Sequence, residues 1–248
     1  MENRPSSEGP TAPMSPTPAK ASVFEDVVDS FYAPSSVFMR RANSGFGMYL
    51  LLVTLIAAVF AFANRGIMMQ VFEGEFDRRI AEAVAKNPQA AAAMEQAQAM
   101  KGVQLKIQGY AMYVATPLMI FFVAFGLWLV AMIFKARVTY GQAVLIVAIA
   151  FIPRQLGSLV TTIQVLVTDT SALTNPYALA LSPAKFMDRD MANSKLYAFL
   201  SSLEVFRIWC AVVQGIGISI IAKVPASKGY LAAGTLFGVF SLLALAFG

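Results

Sequence analysis

Once loops are set aside, three charged side chains remain inside long apolar stretches of this chain: Arg154, Glu204 and Arg207. At mid-bilayer each would cost about 2.5–3.5 kcal/mol on insertion scales, so charges in such places are expected to have partners or a task. Glu204 and Arg207 are three residues apart, the spacing of one helical face. Arg154 lies 14 residues beyond Tyr140, roughly 21 Å along a helix. Counted back from Lys223, Arg207 and Glu204 are 16 and 19 residues away, roughly 24 and 28 Å. All three thus fall at a similar depth. Two readings follow. One is a structural clamp, with Glu204 paired to Arg207, Arg154 or both. The other is an anion or lipid-headgroup site in a small transporter or lipid-handling protein, kept open by the surplus positive charge. Pro153, one residue before Arg154, is expected to break its helix and free a backbone carbonyl beside the cluster.

Other chemistry is scarce. The chain has no histidine, which removes the commonest general base and metal ligand. It has no His-Glu-x-x-His helix and no glycine-rich phosphate loop. Glu204 is a lone carboxylate at membrane depth, whereas an aspartyl protease needs two. Cys210, the single cysteine, sits in an apolar run and reads as a small buried hydrophobe. The expectation is a protein that is not an enzyme, with no catalytic residue, metal site or cofactor.

Apolar residues make up 58% of the 248 and charged residues only 13%, against roughly 25% charged in soluble domains. The apolar residues collect into runs near the bilayer-crossing length of about 20. This predicts an all-α polytopic membrane protein with five spans, at about 46–63, 110–134, 141–167, 196–222 and 229–247. The net charge of +5 is better read as membrane orientation and lipid contact than as affinity for nucleic acid.

Residues 1–20 carry five prolines among Ser, Thr and Gly, a composition that predicts a disordered tail. Residues 21–45 form a juxtamembrane segment. Within it Val23, Phe24, Val27, Val28 and Phe31 recur at helical spacing between Glu25, Asp26 and Asp29, predicting an amphipathic helix that ends near Pro34. The segment 67–108 is rich in Ala, Glu, Gln and Met and too polar to cross, so it reads as a helical excursion outside the membrane. Asn87-Pro88 predicts two helical pieces meeting there. Asn175-Pro176 and Ser182-Pro183 mark turns in the loop before the fourth span. Gly234 and Gly238 have the small-residue spacing that lets helices approach closely, with packing inside the bundle as the expected use.

The tight connectors carry Lys135 with Arg137, and Lys223 with Lys228, without any acid, and Arg40-Arg41 precede the first span. The positive-inside rule then puts the N-terminus in the cytoplasm and the C-terminus outside. A raw count over the opposite loops favours the reverse, but many of those charges lie in a long segment, where the rule weakens.

Two stretches resemble the Yip domain (Ypt-interacting protein) family, in particular its bacterial branch. The first is Phe31-Tyr-Ala-Pro34 with Phe38 and Arg40 ahead of the first span. The second is Ser202-Leu-Glu-Val-Phe206-Arg-Ile-Trp209, followed by Gly215-Ile-Gly217 and the Lys223–Lys228 turn. The resemblance covers residues 23–248 and implies a five-helix bundle in the inner (cytoplasmic) membrane. Its implied role is that of a scaffold or accessory subunit in contact with the lipid bilayer and other membrane proteins, an ABC-type exporter among them. Eukaryotic members bind small GTPases. The short tail and loose version of their Asp-Leu-Tyr-Gly-Pro tract weigh against that partner here.

Overall fold

The computed structural model describes residues 22–87, 96–167, 181–187 and 194–247, and among them all regular structure is helical. The expected tail 1–20, the helix start at Pro88 and the Asn175-Pro176 turn lie outside the described residues. The Ser182-Pro183 turn lies within them and opens a short 3-10 helix, Pro183–Phe186.

Helix α1, Val23–Tyr32, begins at a capping box. The Ser22 hydroxyl accepts from the Glu25 N–H (3.1 Å), and the Glu25 carboxylate accepts from the Ser22 N–H (3.3 Å). Pro34 then starts α2, Pro34–Arg41, where proline's missing N–H costs nothing. Next come α3, Gly47–Ala63, and α4, Arg65–Lys86, which meet at Asn64 with a bend of 75°. Helix α5 covers Lys101–Ile133, and α6 covers Tyr140–Val167. Helices α7, Ser194–Ser202, and α8, Val205–Ile221, meet at a bend of 53°, and α9 spans Ala226–Phe247. By length and apolarity α5, α6 and α9 are able to cross a membrane, and the number rises to five if each bent pair is one span.

Two expectations change in detail. The C-terminal end of the excursion is not separate from the second span, because Lys101–Ile133 is one unbroken helix. Its start is tied back to α4 by Lys101, whose ammonium meets Glu73 (3.1 Å) and Asp77 (2.7 Å). Pro153 does not break α6, which runs through it. A helix packed on all sides holds its path there despite one lost backbone bond.

Helix α6 is the centre of the bundle. Eleven consecutive residues, Ala143 to Pro153, are buried, with α3, α5, α8 and α1 packed around them. A helix apolar all round is expected in that place. Lipid tails are as apolar as leucine, so helices here associate through close contact rather than escape from water. The closest approach joins α8 to α9. A Cβ added at Gly229 would collide with the Gly215 carbonyl oxygen, and one at Gly215 would lie 2.6 Å from Tyr230 Cδ1.

The tight connectors share one device. Lys135 and Lys223 both have left-handed backbone (φ 59° and 53°). Lys135 N–H donates to the Met132 carbonyl (3.0 Å) and Ala136 N–H to Ala131 (2.9 Å). Lys223 N–H donates to Ile220 (3.3 Å) and Val224 N–H to Ser219 (3.0 Å). These are paired Schellman closures that satisfy the last carbonyls of α5 and α8. Glycine is the usual occupant; lysine instead sets a positive charge at each negative helix end.

Gly229→Ala should lower stability by about 1–3 kcal/mol, the usual range for overpacking. Gly234→Ala, where an added Cβ meets nothing within 4 Å, should not. Melting temperatures of the two variants in mild detergent provide the comparison.

Candidate functional site

Beyond Pro153 the character of α6 changes. Arg154, Gln155, Ser158 and Thr161 follow within two turns, and here the helices part around a cavity of about 420 Å³. Its wall is completed by the end of α3 with Asn64, by Thr116 of α5, and by Leu181, Glu204 and Phe206. A second cavity of about 230 Å³, mainly apolar, lies between α5, α6, α8 and α9, and Arg207, Cys210 and Gln214 are among its lining residues. Arg154, Phe151 and Met119 line both.

Arg154, Glu204 and Arg207 therefore gather around adjoining spaces, but not as the expected clamp. The fourth span is broken just before Val205, so Glu204 and Arg207 do not share a helical face. Glu204 is instead the N-cap of α8, its carboxylate accepting from the Phe206 N–H (3.0 Å) and the Arg207 N–H (2.9 Å). Among the described residues no ion pair joins Glu204 to either arginine. Arg154 lies over the Phe151 ring, 4.9 Å from its centroid. The α7–α8 break explains the change: a carboxylate at the start of a helix satisfies orphan N–H groups, which a carboxylate one turn inside it cannot do.

The residues of the two family-like stretches do mechanical work. Phe38 is fully buried and packs on Gly217, where an added Cβ would lie 2.8 Å from the Phe38 ring and from Ile146. Phe31 packs against the core, and Pro34 is buried at the start of α2. Phe206 covers Gly157 at the cavity wall, 2.9 Å from a would-be Cβ. Trp209 is partly exposed on the outside of the bundle, and the Cys210 thiol donates to the Ala150 carbonyl (3.0 Å). At Gly234 and Gly238, expected to serve packing within the bundle, nothing among the described residues lies within 4 Å of an added Cβ.

Three features were missed in the sequence. The first is a latch at the end of the bundle where α1 and α2 sit. Asp26 and Asp29, which the periodicity put on the polar side of the amphipathic helix, are buried, while Phe24 and Tyr32 are exposed. Asp26 accepts from Arg40 (2.7 Å), Arg41 (2.7 Å) and the Tyr49 hydroxyl (2.5 Å). Asp29 accepts from Arg40 (2.5 Å) and Tyr32 (2.8 Å). Two acids three apart, followed by Arg40-Arg41 across a proline break, were the available signal. The second is Asn64, whose amide donates to Phe60 O (2.8 Å) and Thr162 Oγ1 (2.7 Å), closing the α3–α4 elbow onto α6. The third is the pair of left-handed lysines. Among the described residues no three His, Cys, Asp or Glu side chains are grouped to hold a metal.

A family profile, the Yip1 domain, matches residues 29–248 and so takes in the cavity and every latch residue except Asp26. The chain belongs to the Yip1 domain family. No curated protein and no solved structure matches it. In this Yip1 domain the aromatic stretch before the first span acts as the peg that seats α2 on α8, and the penultimate-helix stretch supplies the glycine socket.

Burial pushes the Asp26 carboxyl up, but hydrogen bonds from Tyr49, Arg40 and Arg41 together more than reverse this and hold it below the ordinary 3.8. Asp29 is also held low, chiefly by its hydrogen bond from Arg40. The unfolded chain thus binds more protons in this range, so the latch stabilises fully above about pH 4 and weakens as pH falls through the lowered values. Melting temperature measured against pH should drop on that acid limb. Asp26→Asn should flatten the drop and lower neutral-pH stability by roughly 2 kcal/mol or more, below the 3–5 of a fully buried pair because both arginines are partly solvated.

Proposed function

We propose that this Yip1-domain chain is a non-catalytic scaffold or accessory subunit of the inner (cytoplasmic) membrane, acting by docking helices of other membrane proteins. The observation that carries this reading is the open step on α9. Gly234 and Gly238 have helix-approach spacing, and none of the described residues of the bundle lies within 4 Å of a Cβ added at either. Leu231, Val239 and Leu242 are exposed on the same helix and add apolar contact area. A partner helix is the chemistry that fits: it gains close backbone contact at the glycines, where lipid tails pack poorly.

The orientation that accompanies this reading places α1, α2 and the two lysine-bearing connectors toward the cytoplasm. Lys135, Arg137, Lys223 and Lys228, unaccompanied by acids in those connectors, support it. The C-terminus of α9 then faces outward. An exporter of the ABC type is the class of partner that the family likeness adds.

Purification in mild detergent tests the reading. The wild type should bring down a membrane-protein partner in fixed ratio. The double variant Gly234→Ile with Gly238→Ile should lose it while melting as the wild type does. Recovery of the wild type only as a free monomer, under conditions that preserve known complexes, would sink the proposal.

A further inference from the structure

The bundle is hollow where its charge lies. The buried stretch of α6 ends at Pro153, and the next side chain, Arg154, lines both a larger space whose apolar wall carries several polar groups, here the polar space, and a smaller, more apolar one. Its guanidinium lies over the Phe151 ring, and no carboxylate among the described residues lies within 4 Å of it. A guanidinium at this depth with no acid beside it among the described residues favours an anion, above all a phosphate or carboxylate that fits its planar fork. The polar space also offers acceptors. Asn64 is more than nine-tenths buried and lines the cavity, and its Oδ1 has no hydrogen-bond partner. Glu204 uses its carboxylate on two backbone N–H groups, which leaves lone pairs over. The ligand that complements these groups therefore carries a hydrogen-bond donor close to its anion.

The apolar space specifies the rest. Phe122, Val123, Phe237 and Phe240 line it, and it adjoins the polar space at Met119, Phe151 and Arg154. The polar cavity alone, at about 420 Å³, falls in the roughly 300–1,000 Å³ range of small-molecule sites. We infer that these adjoining cavities form a site for one phospholipid-class amphiphile. Its phosphate sits on Arg154, a hydroxyl or ammonium of the same headgroup faces Asn64 and Glu204, and an apolar chain lies toward Phe122 and Phe240. The site is at the end of the bundle away from the latch and does not involve the open face of α9.

The test uses the full chain, purified in mild detergent and stripped of lipid. It is incubated with mixed micelles containing phosphatidylethanolamine, phosphatidylglycerol or phosphatidylcholine with the same acyl chains, and bound lipid is counted by native mass spectrometry. One molecule of phosphatidylethanolamine or phosphatidylglycerol per chain should be retained in preference to phosphatidylcholine, which has the phosphate but no headgroup donor. Which of the two is kept distinguishes an ammonium donor from a hydroxyl. Arg154→Gln should weaken that retention roughly tenfold or more, the scale of losing a charged hydrogen bond. Ala61→Phe, which fills part of the polar cavity without changing any charge, should do the same. Lys135→Gln with Lys223→Gln, at the far connectors, should leave it unchanged. Equal retention of phosphatidylcholine, or selective retention that survives Ala61→Phe, would overturn the inference even if Arg154→Gln failed to fold.

Discussion

Helix α6 has neither lipid nor water along its buried stretch, and that constraint organises the molecule. Because Ala143 to Pro153 are enclosed on all sides, no polar side chain is tolerated there, and the stretch carries none. The backbone satisfies itself along the helix, and the neighbours need only fit its surface. Where enclosure ends, polarity returns at once, with Arg154, Gln155, Ser158 and Thr161. The cavity is the consequence: surrounding helices close on an apolar column but stand off from a polar one.

Two bends frame that opening. The α3–α4 elbow is held by the Asn64 bonds to Phe60 and Thr162, and the α7–α8 elbow by Glu204 capping α8. Val205 N–H adds a bond to the Leu181 carbonyl (3.1 Å), so the loop before α7 is fastened to the same corner. Each elbow exposes backbone groups that hydrocarbon would not satisfy, and a side chain or loop carbonyl takes up part of the deficit.

The opposite end depends on charge instead. Buried Asp26 collects two guanidinium groups and a phenol, and the result positions α1 and α2 beneath α6 and α8. Such a cluster adds less net stability than its short distances suggest, since desolvation offsets much of the attraction. Its value lies in geometry. With Arg40 and Arg41 held, Phe38 is delivered to the Gly217 socket, so electrostatic registry and aromatic packing reinforce each other.

How much was legible in the sequence follows from the physics of each part. Long apolar runs bounded by charge are one-dimensional signals, because hydrocarbon demands a helix of nearly fixed length; membrane class and helical fold came from composition and length alone. The Phe31–Phe38 and Phe206–Trp209 stretches likewise pointed to the Yip family before any contact was known. The depth of Arg154, Glu204 and Arg207 was countable too, since a helix rises by a constant step. Their pairing was not, because a break at Leu203-Glu204 turned an expected helix-face neighbour of Arg207 into a cap. Asp26 and Asp29 looked solvated for a related reason: local periodicity separates acids from apolar residues but is blind to arginines beyond a proline. Gly234 and Gly238 had the spacing for close approach, and only the tertiary structure decided which glycines found a neighbour. Spacing along one helix records what that helix is able to meet, whereas the three-dimensional arrangement of the others determines what it does meet.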